Sequence, residues 1–295
     1  MKASILLAVL SLAAPLLRAD DLQPPITEGQ RVATCGHSFH VFTYKQVDEI
    51  AKSAGLAHQL VGLSSIGGST VQKHWDVPEE KSAVKQVLKT GKVDVLTLSP
   101  IWLPDPAIEE FVKLGLEHNP ALRITVQEYW MPNDEYKPVY PLEANKKKVD
   151  HNATDIAQLR DATQRYAKDI EDYVRGINER LGKQSVYIVP VGMAAVTLRD
   201  KIVKGEAPGL KTQGELFRDY WGHALAPLQI LSSYCHFAVI YRRSPAGLPV
   251  PNAFKALKDM SDDDKAKLNK LLQDIAWDTV SHHPMAGVMK PVAAK

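Results

Sequence analysis

The sequence lacks the features that define several common functional classes. It has only two cysteines among 295 residues, too few for the disulfide framework that supports many small secreted domains. It contains no glycine-rich phosphate loop, no dinucleotide-binding fingerprint and no His-Glu-x-x-His metal motif. We therefore predict an enzyme or binding protein that uses neither a cofactor nor a catalytic metal.

Long hydrophobic runs are scarce, and the one that stands out lies at the N-terminus. Lys2 precedes an apolar stretch of about 15 residues, and Leu17-Arg18-Ala19 provides a small-residue cleavage site. This stretch is shorter than the ~20 residues that a spanning helix needs. It predicts a signal peptide over residues 1–19, with a retained anchor as the alternative. The mature chain, residues 20–295, is then expected to be secreted or periplasmic, with no stable membrane span.

Excess charge of either sign is also missing. The formal net charge is +2, and it falls to 0 when residues 1–19 are removed, because Lys2 and Arg18 leave and no acidic residue does. The run Lys146-Lys147-Lys148 is local and does not extend into a basic stripe. We therefore expect no nucleic-acid partner.

Short apolar or β-branched runs alternate with amphipathic stretches along the whole mature chain. This alternation predicts βαβ units and a mainly parallel, five-stranded sheet in a single α/β domain over residues 20–295. The predicted strands are 31–35, 58–64, 94–99, 124–127 and 186–191, and the predicted helices are 43–54, 79–89, 105–119, 155–181, 194–204, 213–219, 227–241 and 261–280. Cys35 and Cys235 could form one bridge, but two separate buried thiols are the favoured interpretation.

The first candidate site follows the first strand, at Gly36-His37-Ser38. A serine at a strand-to-helix turn exposes its hydroxyl at the carboxyl edge of a sheet, where open α/β folds bind ligands. Backbone N–H groups at such a turn can stabilise an oxyanion. An ordinary turn built from glycine and serine is the alternative, because Gly-x-Ser is a weak motif.

The second candidate stretch, Arg218-Asp219-Tyr220-Trp221-Gly222-His223, comes late in the chain. A nucleophilic serine needs a base, and the base needs an acid that fixes its tautomer. Ser38, Asp219 and His223 supply these three groups in the order Ser, Asp, His, the order found in α/β-hydrolases. A helix cap for Asp219 and a core position for His223 are the alternatives.

At these residues the chain resembles the SGNH (GDSL-like) hydrolases, a family of secreted esterases and lipases with a three-layer, flavodoxin-like fold. Gly36-His37-Ser38 is similar to the family's first block, and Asp219 with His223 to its last. Gly67 or Gly68 is similar to the glycine of the second block, whose N–H serves the oxyanion hole. The resemblance implies that Ser38, His223 and Asp219 are catalytic.

The chain departs from the family pattern in three places. His37 stands where the family usually has Asp or Asn. Three residues separate Asp219 from His223, where the family has two. The Gly-x-Asn-Asp block after the third strand is not evident, so Ser99 is the candidate for the third oxyanion donor by position, and Asn133 is the candidate by chemistry.

Aromatic and histidine side chains follow several strand ends. We expect His37 and the side chains of His74, Trp75 and Trp130 to contribute to the oxyanion or substrate site, together with Trp102, Tyr129, Tyr136 and Tyr140. Packing of a long loop against the body is the alternative for the rings.

The resulting hypothesis is a serine esterase acting on a small-molecule or carbohydrate ester, with acetylated polysaccharide as the preferred substrate class. The alternative is a non-catalytic SGNH-like protein that binds a carbohydrate or another ligand. The sequence leaves the oligomeric state open.

Overall fold

The computed structural model describes residues 22–135 and 148–289. The predicted signal peptide, residues 1–19, lies outside these ranges. The same holds for Tyr136 and Tyr140 and for the first two residues of the Lys146-Lys147-Lys148 run.

A five-stranded parallel sheet forms the centre of the fold. Its strands are β1 (Arg31–Gly36), β2 (Gln59–Ser65), β3 (Val95–Leu98), β4 (Arg123–Glu128) and β5 (Val186–Pro190). Every paired neighbour is parallel, and the order across the sheet is β2-β1-β3-β4-β5. The four residues of β3 are all buried, as expected for a strand covered on both faces.

Helices cover both faces of the sheet and complete three layers. They are α1 (Thr43–Ser53), α2 (Val71–Trp75), α3 (Ala83–Lys89), α4 (Ala107–His118), α5 (Ile156–Leu181), α6 (Val191–Val203), α7 (Ala226–Tyr241) and α8 (Asp262–His282). One apolar core lies under α1, α7 and α8, and the other lies under α3, α4 and α5. The predicted three-layer, flavodoxin-like α/β class is confirmed.

Two predicted helices differ from the structure, and one helix of the structure was not predicted. The stretch 79–89 is not one helix, because Ser82 interrupts it and caps α3 by accepting a hydrogen bond from the N–H of Lys85. The short helix α2 was not predicted. The predicted helix 213–219 is a single 3₁₀ turn, Gln213–Leu216.

Asp105 is a buried acid in the loop before α4. Its carboxylate accepts a hydrogen bond from the N–H of Val71, at 2.6 Å, and so ties the start of α2 to the loop before α4. The helix itself begins at Ala107, after Pro106.

The two cysteines are free and lie on opposite sides of the sheet. Cys35 belongs to the core under α3, α4 and α5, whereas Cys235 belongs to the core under α1, α7 and α8. Burial raises the pKa of both thiols. The interpretation as two separate buried thiols is confirmed.

The strand order creates a crevice at the carboxyl ends of β1 and β3. The chain leaves β1 for β2 on one side and returns to β3 on the other, and ligands bind at such a switch point in open α/β sheets. Ser38 follows β1 and Ser99 follows β3, so both are at this edge.

None of the helices in the described ranges combines the length and apolar character required to cross a bilayer.

Candidate active site

Ser38 lies in a tight turn that begins where β1 ends. The carbonyl of His37 accepts hydrogen bonds from the N–H groups of His40, at 2.9 Å, and Val41, at 2.8 Å. Gly36 is required before this turn, because a Cβ atom there would come within 2.1 Å of the Nδ1 atom of His40. The turn holds the Ser38 hydroxyl at the crevice between β1 and β3.

Ser38, His223 and Asp219 form a continuous chain of hydrogen bonds. The Oγ atom of Ser38 lies 2.8 Å from Nε2 of His223, and Nδ1 of His223 lies 2.7 Å from Oδ2 of Asp219. The structure thus brings together two sites that are 185 residues apart in the sequence.

The acid and the histidine face each other because of a turn, and the backbone between them is not helical. The N–H of Gly222 donates to the carbonyl of Asp219 at 3.1 Å, and that of Arg218 donates to the carbonyl of His223 at 2.9 Å. Gly222 has a φ of 91°, which a residue with a side chain rarely adopts. The turn accommodates three intervening residues, so the longer spacing does not separate the two side chains.

The electrostatic surroundings of Asp219 favour its ionised form. Burial alone would raise its pKa, but the backbone N–H, charge and imidazole of His223, together with the charge of Arg218, lower the pKa of this carboxyl. An ionised carboxylate can only accept, so Nδ1 of His223 must carry the proton in this bond. Its Nε2 atom then presents a lone pair to the Ser38 hydroxyl.

Three donors from residues 130–151 bind the backbone of the turn that carries Asp219 and His223. The indole N–H of Trp130 donates to the carbonyl of Gly222 at 2.8 Å. The N–H of Asn133 donates to the carbonyl of Trp221 at 3.1 Å, and Nε2 of His151 lies 3.0 Å from the carbonyl oxygen of Asp219. The geometry of the turn is therefore fixed from outside as well as by its own hydrogen bonds.

A stack of rings supports the imidazole of His223. Phe39 stacks on Trp130 at a centroid distance of 4.7 Å, with an angle of 8° between the rings. The ring of His223 meets Phe39 nearly edge-on at 5.2 Å. These contacts restrict rotation of the imidazole about the line between Asp219 and Ser38.

His37, beside Ser38, is a neutral imidazole that holds Ser99. Burial lowers its pKa to about 3, and the neighbouring His74 and His223 act in the same direction. Its Nδ1 atom accepts the N–H of Phe39 at 3.3 Å, so the proton is on Nε2, which donates to Oγ of Ser99 at 3.2 Å. His37 therefore positions Ser99 and does not compete with His223 for the proton of Ser38.

The predicted glycine turn lies directly beside the first turn. The N–H of Ile66, the residue before Gly67, donates to the carbonyl of Gly36 at 3.2 Å. Gly67 and Gly68 are exposed, and Gly68 has a φ of 57°. The structure thus brings the glycine turn to the same edge as Ser38.

The buried side chain of His74 joins the end of β2 to this glycine turn. Its Nδ1 atom lies 2.7 Å from the hydroxyl of Ser64, and its Nε2 atom lies 2.7 Å from that of Ser69, whose own proton goes to the carbonyl of Ile66. Because Ser69 thus accepts, Nε2 carries the proton and Nδ1 accepts from Ser64. Burial lowers the pKa of His74 to about 4, in accord with a neutral ring.

The structure places the predicted tryptophans differently from the expectation that they face a substrate. Trp75 packs edge-on against Phe111 of α4, at 4.9 Å, and Lys85 lies over its ring. Trp130 is only 3% exposed because it is stacked on Phe39. Trp102, by contrast, is 43% exposed.

Similarity to known proteins is confined to structure. No family model matches the sequence, and no curated protein matches it. Among solved structures, the chain is similar to a DUF4886 family protein from Bacteroides uniformis, with a TM-score of 0.55 at 13% identity over 86% of this chain and 95% of that chain. What the two chains share is the fold.

Two further structures are similar at lower scores. A family 3 carbohydrate esterase from Clostridium thermocellum gives a TM-score of 0.35 at 15% identity, over 55% of this chain and 77% of that chain. A GDSL-like lipase from Parabacteroides merdae gives 0.39 at 14% identity, over 74% and 98%. At these values the reaction must be argued from the site itself.

Several residues around the site were not identified from the sequence. Phe39 and His151 carry contacts described above, and the buried pair Asp134 and Arg199 lies behind them. The contact partners of Asp134 lie far away along the sequence, with His151 at 17 residues and Arg199 at 65. Sequence spacing gives no signal for contacts of this kind.

A cavity of about 760 Å³ lies beside the site and does not include the hydroxyl of Ser38. Its walls include Asn133, Asp134, Lys148, Asp155 and Arg165 but neither Ser38 nor His223.

Within residues 22–135 and 148–289, no three His, Cys, Asp or Glu side chains are grouped so as to hold a metal ion.

Proposed function

We propose that this protein is a serine hydrolase that cleaves carboxylic esters through an acyl-enzyme on Ser38. The observation that carries the proposal is the 2.8 Å contact between Oγ of Ser38 and Nε2 of His223, with the carboxylate of Asp219 at 2.7 Å from the opposite ring nitrogen. This geometry supports the roles of nucleophile for Ser38, base for His223 and orienting acid for Asp219.

In the proposed reaction His223 removes the proton of Ser38 as Oγ attacks the ester carbonyl. The resulting imidazolium is stabilised by Asp219, and it returns the proton to the alcohol oxygen when the C–O bond of the ester breaks. A water molecule, deprotonated by the same imidazole, then attacks the acyl-enzyme and releases the acid.

The negative charge on the carbonyl oxygen requires hydrogen-bond donors at the crevice. We propose the N–H groups of Ser38 and Gly68 as two donors, because their turns are joined by the bond between Ile66 and Gly36. The hydroxyl of Ser99, held by Nε2 of His37, is the proposed third donor, because His37 leaves the serine's own proton free to donate. Asn133 is the second candidate, since neither polar atom of its buried amide has a partner among residues 22–135 and 148–289.

For the substrate we propose an acetyl ester, with acetylated polysaccharide as the preferred class, met outside the cytoplasm after removal of residues 1–19. The exposed ring of Trp102 supports a role in binding a sugar, since an aromatic face suits the apolar side of a pyranose. The rings of Trp75 and Trp130 are engaged in packing, so they do not support a role in binding a sugar.

The test combines a fluorophosphonate probe with p-nitrophenyl acetate. The wild-type chain is expected to be labelled stoichiometrically and to hydrolyse the ester, and Ser38→Ala and His223→Ala are expected to do neither. Ser53→Ala removes a serine hydroxyl at the end of α1 that donates to the carbonyl of Ile50, so it serves as the matched control. Unchanged turnover in Ser38→Ala would falsify the proposal, and an unlabelled wild type would favour the non-catalytic binding protein.

A further inference from the structure

A second acid–histidine pair lies directly behind Asp219. His151 is buried, and its Nδ1 atom lies 2.9 Å from Oδ2 of Asp134, while its Nε2 atom lies 3.0 Å from the carbonyl oxygen of Asp219. Phe217 packs against the imidazole at a centroid distance of 4.2 Å. The ring therefore bridges a buried carboxylate and the peptide of the proposed catalytic acid.

Both ring nitrogens of His151 face oxygen atoms that can only accept. A peptide carbonyl has no proton to give. Asp134 has none either: although burial opposes its ionisation, Arg199 binds both of its oxygens, and the pKa of this carboxyl is lowered to about 2. A neutral imidazole can donate from one nitrogen only, so it would leave the other facing an acceptor across 3 Å or less. Two N–H donors satisfy both contacts.

The contacts of Asp134 favour its ionised form, which in turn favours a protonated imidazole beside it. Arg199 from α6 binds it through both terminal nitrogens, at 2.5 and 2.9 Å, and Thr154 donates its hydroxyl at 2.5 Å. Arg199 also donates to the carbonyl of His151, at 3.2 Å, and to the side chain of Gln213, at 2.7 Å. Within the described part of the chain, the charged side chains in contact with His151 are thus Asp134 and Arg199, and the ionised Asp219 follows through its own carbonyl.

We propose that His151 is a doubly protonated positioning residue that fixes the Asp219 turn, an assignment that rests on the proposed esterase function. Its Nε2–H shares the carbonyl of Asp219 with the N–H of Gly222. That carbonyl belongs to the same residue whose carboxylate orients His223. A shift of the peptide therefore moves the carboxylate relative to His223, and misplacement of about 1 Å at such a site can cost on the order of 100-fold in rate.

The test compares His151→Gln with His58→Gln. His58 is also buried and bonds one oxygen, the hydroxyl of Tyr241 at 2.8 Å, but it does not contact the Asp219 turn, so its replacement is the matched control. Fluorophosphonate labelling of Ser38 is expected to slow by roughly 10- to 100-fold in His151→Gln. His58→Gln is expected to label at the wild-type rate.

Two nitrogen-edited NMR readings separate positioning from a merely structural role. The His151 ring, assigned by its loss in His151→Gln, is expected to show protons on both nitrogens under the conditions of labelling. The Nδ1 proton of His223, which bonds Asp219, is expected to shift or broaden in His151→Gln and to stay in place in His58→Gln. These readings use the folded full-length chain and need no substrate.

The outcomes distinguish this inference from the proposed function. If the wild-type chain is not labelled, the esterase proposal fails, and the state of the His151 ring still decides whether the residue is a bridging cation. If the NMR spectra show an unprotonated ring nitrogen on His151, the proposed double protonation is wrong. A wild-type labelling rate with an unchanged His223 signal in His151→Gln overturns the positioning role and leaves the esterase standing.

Discussion

The indole N–H of Trp130 donates to the carbonyl of Gly222 at 2.8 Å, immediately before His223. The same ring stacks on Phe39, which contacts His223 edge-on. Trp130 thus connects the end of β4 to the proposed base through both a hydrogen bond and a pair of aromatic contacts.

Replacement of Trp130 by Phe retains a ring and removes the donor. We expect a loss of about 1 to 3 kcal/mol in the free energy of unfolding, because the buried carbonyl of Gly222 loses its partner. We also expect slower fluorophosphonate labelling, since the turn before His223 is released. Trp277→Phe, in α8, makes the same change in another part of the core, and a labelling rate equal in the two variants would contradict the prediction.

The role of Asp219 is tested by Asp219→Asn. The amide preserves the shape of the side chain but can donate to Nδ1 of His223, which would place the proton on Nε2 and point it at Ser38. We expect a decrease in kcat of roughly 10³- to 10⁴-fold with p-nitrophenyl acetate. Asp274→Asn removes an exposed carboxylate paired with Lys270 and is expected to retain full activity. A loss below tenfold in Asp219→Asn would argue that His223 is oriented by other contacts.

The backbone conformation of Gly222 is tested by Gly222→Ala. Its nearest neighbour would be 3.7 Å from the new Cβ, so the cost comes from the φ of 91° and not from a steric clash. We expect a loss of about 1 to 2 kcal/mol in stability, accompanied by reduced labelling of Ser38. Gly205→Ala places the same strain at a φ of 70° in open space, so it should lose stability without losing activity. Equal labelling in both variants would mean that the turn tolerates the change.

A pH effect on stability follows from Glu128, which is buried at the end of β4. Burial raises its pKa to about 8, although the N–H of Met193 bonds its carboxyl and acts against the shift. The folded state therefore keeps a proton that the unfolded chain releases near its ordinary pKa of 4.5. Stability is accordingly lost as the pH rises from about 4.5 to about 8.

Glu128→Gln replaces the neutral acid by a group of similar shape that does not titrate. Between about pH 5 and about pH 8, the wild-type chain should lose on the order of 1 to 3 kcal/mol more than this variant in urea unfolding. Glu117→Gln changes an exposed carboxyl of α4 and should follow the wild type. Parallel pH curves for wild type and Glu128→Gln would show that the buried carboxyl is ionised in the folded protein.

The sheet could be predicted because its signal is local. The strands at 31–36 and 95–98 are runs of β-branched and apolar residues, and the alternation with helices constrains the topology to a few parallel arrangements. The helix α2 was missed because five residues, Val71–Trp75, are too few to show helical periodicity. The break at Ser82 was missed because a serine cap inside a polar stretch resembles an ordinary helical position.

The site was predictable only as a set of residue types. Residues four apart, such as Asp219 and His223, share a face when the backbone is helical, whereas here a turn that contains Gly222 brings them together. The positions of Trp75 and Trp130 depend on the rings that they pack against in the folded chain, which are Phe111 and Phe39 respectively. The roles of His37 and His151 depend on which acceptors surround each ring, and these come from distant parts of the chain. The extent of the domain, 20–295, and the signal peptide remain predictions.

The separation of 185 residues between Ser38 and His223 has a consequence for folding. The serine turn follows the first strand, and its partner lies beyond β5 and α6 in the sequence. A long loop must therefore close before the two side chains meet, which is entropically costly and slows folding. Under the proposed function, a chain emerging from the ribosome would therefore carry an inactive Ser38 for most of its synthesis. Likewise, a single cut or local opening near residues 218–223 would separate Ser38 from its proposed base, although the serine turn itself would be unchanged.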